Sequence, residues 1–268
     1  MRPPKSLFFV LSTVVAAFVF FVLSFLLSES PLLAGTPDAQ PSATLGHARV
    51  VSLSLVQGAV IIRRPGSAKW SRATLDLSVE EGTSIATARN SFAEVQFENG
   101  STLRIGELSR VDFTQMALGA RGGRVDHVKL AFGQATANVA LGHHDDYVMS
   151  VANAALTPLG KSEFRADLRR NLLRVEVFAG HLEAGDSDQS VRVGKNQILA
   201  LEGESQSSFR VTSPIHLDQW DEWVHGRDEQ AALRAYRENA AMDAELNDWS
   251  HVVPPPGLFT GGIVDDGF

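Results

Sequence analysis

The pattern of apolar and polar positions changes sharply along this chain of 268 residues. Residues 7–27 form one apolar run that only Ser12, Thr13 and Ser24 interrupt. As a helix, about 21 residues would extend roughly 31 Å, which is close to the thickness of the hydrocarbon core of a bilayer. The pattern therefore predicts a transmembrane signal anchor or a signal peptide in residues 1–28.

The charges beside this run predict its orientation. Arg2 and Lys5 precede it, whereas Glu29 and Asp38 are the first charges after it. The positive-inside rule keeps the amino end in the cytoplasm and places the rest outside. Because the run is longer than the core of a typical signal peptide, we favour an uncleaved anchor, with a cleaved signal as the alternative. The expected location is the inner membrane, single-pass with the C-terminal domain in the periplasm, or the periplasm if the signal is cleaved.

The middle of the chain has the pattern of a β-domain. Residues 29–46 are rich in Pro, Ser, Ala and Gly, which predicts a flexible linker. Residues 47–203 then alternate short β-branched runs with turn signals, roughly every ten residues. A loose internal echo, as in "LVQGAVII" and "EVFAGHLEA", is typical of a coiled β-architecture. The prediction is an all-β, solenoid- or roll-like domain of many short strands.

One hairpin is especially clear in the segment "FAEVQFENGSTLRIG". Ala93 and Val95 fall on one face of the strand, and Glu94 falls on the other, which we expect to be exposed to solvent. Asn99 and Gly100 are the pair that favours a type I′ turn, in which both central residues have positive φ.

The pattern becomes helical after residue 214. Residues 214–246 predict a helical extension, and residues 247–268 a Pro/Gly-rich, irregular tail. Trp220, Trp223, Val224 and Tyr236 are the candidate partner-binding residues, since exposed aromatic side chains are common interface anchors. For Trp220 and Val224, however, the simplest interpretation is that they pack back onto the β-domain, and a docking face for a partner is the alternative.

Composition and motifs exclude several functions. A net charge of −7 provides no basic surface for nucleic acid, and without Cys there is no disulfide framework. The adjacent His143 and His144 lack the spacing of metal ligands, and no nucleophile motif such as GxSxG occurs. The Gly-rich run at Gly119–Gly123 predicts a hairpin loop. We therefore predict no enzyme, no cofactor and no metal site, and consider the His143–Asp146 and Gly119–Gly123 loops as binding loops.

Two segments carry a resemblance to a known family. "VEEGTSIATARNSFAEVQFENGSTLRIGELSRVDF", from Val79 to Phe113, and "LTPLGKSEFRADL" with the strands that follow it resemble the FecR domain. That family comprises extracytoplasmic β-domains of membrane regulators linked to outer-membrane transport and sigma-factor control. The resemblance covers roughly Val50 to Gly203, and its motifs are turn and core positions without catalytic residues.

The resemblance implies a binding role. Family members with anti-sigma activity carry a cytoplasmic domain before the span, whereas only a few residues precede the predicted span here, so we expect a stand-alone type. The expected function is a non-enzymatic, membrane-tethered domain that binds a protein partner or an envelope polymer such as polysaccharide or peptidoglycan. The alternative is the periplasmic sensor of a sigma-regulatory or transport-linked relay that acts through another chain.

Overall fold

A computed structural model describes residues 49–170, 172–185, 189–201 and 209–249. The predicted anchor or signal in residues 1–28 and the linker in residues 29–46 lie outside this part of the chain, as does all but the first few residues of the predicted tail. Among the described residues, no helix is both long enough and apolar enough to cross a membrane.

The described residues form β-strands followed by one long helix. The strands are β1 (Ser52–Gln57), β2 (Val60–Arg63), β3 (Ser71–Arg72), β4 (Ser84–Thr87), β5 (Phe92–Gln96), β6 (Thr102–Ile105), β7 (Arg110–Leu118), β8 (Arg124–Val139), β9 (Asp146–Val151), β10 (Ala154–Pro158), β11 (Ser162–Arg169), β12 (Leu172–Ala179), β13 (His181–Gly185), β14 (Ser190–Gly194), β15 (Gln197–Leu201) and β16 (Phe209–Thr212). The helix, α1, is Gln219–Trp249.

The strands form two sheets that share β8. The first sheet has the order β1-β5-β6-β8-β11-β12-β15-β16, and the second has the order β3-β2-β4-β7-β8-β9-β10-β13-β14. The first half of β8 pairs with β7 and β9, and its second half pairs with β6 and β11. Gly133 lies between the two halves with φ +86°, and a side chain there would overlap Ser109. The glycine thus allows β8 to pass from one sheet to the other.

The hydrophobic core of the described residues lies between the two sheets. Leu53, Val95 and Phe164 contribute to it from the first sheet, and Phe113 and Met149 from the second, all fully buried. Each such side chain stabilises the fold by about 1.5–3 kcal/mol relative to exposure. The predicted β-rich domain of many strands, followed by a C-terminal helix, is confirmed for the described residues.

The β5–β6 hairpin forms where the sequence predicts it, but its turn is of another type. Gly100 has φ +82°, whereas Asn99 is not among the residues with positive φ. The Phe97 N–H donates to the Ser101 carbonyl at 2.9 Å, which is the pattern of a type I turn followed by a bulge glycine. The type I′ prediction is therefore wrong. The Asn99 side chain bonds to the Ser101 N–H and to the Ala140 carbonyl, and these contacts fix it in the observed conformation.

Candidate partner-binding site

Helix α1 begins at a capping arrangement that orients it on the first sheet. The Asp218 carboxylate accepts hydrogen bonds from the backbone N–H groups of Trp220 and Asp221, at 2.9 and 3.1 Å. In return, the Asp221 carboxylate accepts one from the Asp218 N–H at 3.0 Å. This reciprocal pairing satisfies N–H groups that the first turn of a helix leaves without partners.

Aromatic side chains attach the first two turns of α1 to the sheet. The Trp220 and Trp223 rings stack with centroids 5.0 Å apart, and both contact Phe92 of β5. The indole N–H of Trp220 donates to the Thr136 hydroxyl of β8 at 2.9 Å. Trp220 and Val224 are buried, with 7% and 1% exposure. These two residues therefore pack onto the β-domain, in agreement with the simplest interpretation of the sequence.

Two buried arginines of the sheet hold the charged face of the helix. Arg165 on β11 donates to Asp218 at 2.8 Å and to Asp221 at 3.2 Å. Arg104 on β6 donates to Asp228 at 2.6 Å and to Glu94 of β5 at 2.8 Å. Because a buried charge is costly without a partner, these pairs fix the position of α1 on the sheet.

The pairs also set the protonation of the acidic groups. Burial alone would raise the pKa of Glu94, but hydrogen bonds from Arg227, Arg104 and Ser54 lower it below its usual value. Burial likewise opposes ionisation of Asp218, yet the hydrogen bond from Arg165 lowers its pKa. Glu94 and Asp218 are therefore ionised at neutral pH, whereas burial raises the pKa of Asp221.

This arrangement corrects the expectation that Glu94 faces solvent. Glu94 has only 5% exposure, because α1 covers the outer face of the β5–β6 hairpin. Strand alternation correctly separates Glu94 from the core positions Ala93 and Val95, but it does not show that a helix lies over the polar face.

Beyond Asp228, the side chains of α1 are no longer buried against the sheet, although Arg234 still borders the groove described below. Described side chains from Glu229 to Glu245 are exposed, and Tyr236 has 74% exposure. The four sequence candidates are therefore divided. Trp220, Trp223 and Val224 lie together at the helix–sheet contact, whereas Tyr236 lies on the free part of the helix. Partner binding by these residues stays a prediction.

The two predicted binding loops lie beside each other at the opposite end of β8. A side chain at Gly123 would overlap the backbone of His144. The Asp145 carboxylate accepts hydrogen bonds from the N–H groups of Arg124 and Gly142, both at 2.8 Å, which closes the second loop. The His143 and His144 rings meet edge to face at 4.0 Å. No group of three or more metal-ligating side chains occurs within the described part of the chain.

Strand β1 is an edge strand that is only partly covered. Among the described strands it pairs with β5 alone. The loop after β3 covers its beginning, since the Asp76 N–H donates to the Leu53 carbonyl at 2.9 Å and the Val79 N–H donates to the Val51 carbonyl at 2.8 Å. Toward the end of β1, the loop moves away from the strand.

A groove of about 950 Å³ opens at that point. The next backbone bond between the two segments joins the Ala73 N–H to the Val60 carbonyl at 2.9 Å. Between these two backbone bonds, the strand side has six residues (54–59), whereas the covering loop has only two (74–75). The longer segment bends away from the shorter one, and a gap opens between them. Side chains from α1 border the same groove.

Comparison with known families identifies the β-domain. Residues 83–183 match the family model described as FecR protein. The chain contains a FecR domain. The match runs from the start of β4 into β13, so β1–β3 and β14–β16 complete the two sheets outside it. The groove is formed by segments outside the matched residues.

Comparison with solved structures finds weaker similarity. Two crystal structures of a candidate anti-sigma factor from Parabacteroides distasonis, at 1.65 and 2.50 Å resolution, are 14% identical to the chain with a TM-score of 0.43. Each alignment covers 49% of this chain and 59% of that protein, which is less than two thirds of its length. No curated protein matches the chain.

Proposed function

We propose that this chain is a membrane-tethered, extracytoplasmic FecR domain that works by binding a protein partner, without catalysis. The FecR match supports a role in signalling regulation, in which the partner carries the signal. The partly uncovered edge of β1 is the observation that most favours binding, because an exposed ladder offers backbone hydrogen bonds to another chain.

The charged groups of the helix contact support the absence of catalysis. Arg104 and Arg165 are each paired with carboxylates of the helix, so their role in positioning α1 on the sheet accounts for both buried charges without any reacting group. The proposed location is the inner membrane, with the FecR domain in the periplasm and the first residues as the anchor.

The proposal is tested by chemical cross-linking of the tagged full chain in intact cells, followed by purification under denaturing conditions. We expect a discrete adduct that proteinase removes and lysozyme leaves intact. An adduct that only lysozyme removes would assign the domain to peptidoglycan instead. A known envelope protein complex, expressed at the same level and cross-linked in parallel, is the positive control. If that complex gives an adduct and this chain gives none, a protein-binding role would also be contradicted.

A further inference from the structure

The groove beside β1 carries positive charge that the described residues do not neutralise. Arg72 on β3 and Arg234 on α1 line it, and both side chains are exposed, with no hydrogen bond or ion pair within the described part of the chain. Arg227 lines it as well, held by Glu94 at 3.0 Å. Among the residues that the structure describes, no acidic side chain lines the groove, although the net charge of the chain is −7. The local charge therefore favours an anionic occupant.

The groove also has an apolar part. Ile61 of β2 and Leu75 of the loop after β3 line it, with 41% and 57% of their surfaces exposed. A small inorganic anion would leave both side chains in water. An occupant that carries carboxylates and apolar side chains together would cover them and gain from their burial.

The backbone at the groove suggests the form of the occupant. Residues 54–59 follow the last backbone bond between β1 and its covering loop, and they lie opposite a shorter segment. A strand of another chain can add to such an edge, with main-chain bonds giving affinity and alternate side chains giving specificity. A polysaccharide has no matching ladder of amide donors and acceptors.

We infer that this groove binds an extended acidic segment of a partner protein. The backbone of the segment pairs with the uncovered end of β1, its carboxylates pair with Arg72 and Arg234, and its apolar side chains cover Ile61 and Leu75. This inference rests on the proposed function, because it gives the chemical class of the protein partner. The site is formed by elements outside the FecR match, so it is a feature of this chain rather than of the matched segment.

The test is fluorescence anisotropy with the purified full chain in detergent. The probe is a labelled eight-residue peptide of alternating Val and Asp, compared with the same peptide carrying Lys in place of Asp. We expect saturable binding of the acidic peptide alone, weakened by added salt. The double variant R72Q/R234Q should bind roughly tenfold more weakly, because it loses two charge pairs. The control R192Q changes an exposed arginine of β14, another edge strand, and should bind as the parent chain does.

Amide hydrogen exchange distinguishes the possible occupants. We expect the acidic peptide to slow exchange at those amides of residues 54–58 that point away from β5. Equal binding of polygalacturonate, with no slowing of these amides by the peptide, would assign the groove to anionic polymers and overturn the inference. Slow exchange already present without peptide, and lost in the variant D265N/D266N, would assign the groove to the tail of this chain and overturn it too.

The peptide-binding test and the cross-linking test in cells can fail independently of each other. Failure of the peptide to bind, together with a proteinase-sensitive adduct in cells, would contradict the acidic-segment groove and leave protein binding in place.

Discussion

The guanidinium of Arg104 and the carboxylate of Asp228 are joined at 2.6 Å across 124 residues of sequence. Arg104 lies on a strand of the FecR domain and has 1% exposure, whereas Asp228 lies on the helix that follows the domain. The same guanidinium also bonds to Glu94, whose second oxygen accepts from Arg227 of the helix. The helix is thereby part of the folded domain and positions one wall of the groove.

Loss of Arg104 should destabilise the domain. In the Arg104→Met variant, Glu94 stays buried with one cationic partner fewer, so we expect the free energy of unfolding to fall by about 3 kcal/mol. Urea unfolding followed by circular dichroism measures this. The control Asp243→Asn changes an exposed acid of the same helix and should alter stability by less than about 0.5 kcal/mol. A cost for Arg104→Met as small as that of the control would mean that the pairs are not formed.

Trp220 and Tyr236 should behave in opposite ways. Trp220→Ala removes a buried ring and its hydrogen bond to Thr136, and we expect a loss of about 3 kcal/mol in thermal or urea unfolding. Tyr236→Ala removes a ring with 74% exposure and should leave stability within about 0.5 kcal/mol. Equal effects of the two changes would contradict the observed division of the helix into a packed and a free part.

The glycines of the hairpin and the helix provide a pair of changes with opposite signs. Gly100 has φ +82°, so Gly100→Ala strains the backbone and should cost about 1 kcal/mol. Gly226 lies within α1 with no atom near the position of a new Cβ, so Gly226→Ala should stabilise by up to about 1 kcal/mol. Unfolding midpoints of both variants check the two signs. Stabilisation by Gly100→Ala would exclude the turn described above.

Asp126 should make stability depend on pH near neutrality. Burial raises the pKa of Asp126 from 3.8 to about 6, although Arg49 opposes the shift. Since the folded pKa lies above the unfolded one, the stabilisation from the protonated form is complete below about 3.8 and is lost as the pH rises through about 6.

Unfolding free energies between pH 5 and pH 8 test this. We expect the parent chain to lose on the order of 1 kcal/mol over that range, and Asp126→Asn to lose distinctly less. The nearby groups Glu98 and Asp145 also face Asp126, and the pKa of Asp145 is lowered by hydrogen bonds from the Arg124 and Gly142 backbone, so its contribution is lost only at more acidic pH. An identical slope for the variant would assign the dependence to another group.

The sequence predicts the strands and the helix well because both depend on local periodicity. Alternation alone places Ala93 and Val95 in the core, and the change to a helical pattern after residue 214 corresponds to α1. The FecR resemblance read from the turn and core positions agrees with the family match, which covers a shorter range.

The covered polar face of the hairpin could not be predicted in the same way. Arg104 and Glu94 occupy positions that in an ordinary sheet face water, and their helical partners lie more than a hundred residues away in sequence. One signal in the sequence could have indicated the covering helix. Asp218 and Asp221 flank Trp220, which is the pattern of a helix start with two acidic residues and an aromatic side chain that packs onto the sheet. The groove exists because residues 54–59 and residues 74–75 differ in length between the same two backbone hydrogen bonds. Neither segment has a sequence pattern that predicts these bonds.

The most direct test of the account is photo-cross-linking from the groove in living cells. A photoreactive amino acid replaces Leu75, which lies in the groove, or Leu159, an exposed leucine elsewhere on the domain. We expect a protein adduct from position 75 that the variant R72Q/R234Q greatly reduces, and no such adduct from position 159. An equal adduct from both positions, or one that persists in the double variant, would contradict binding of an acidic partner segment at this groove.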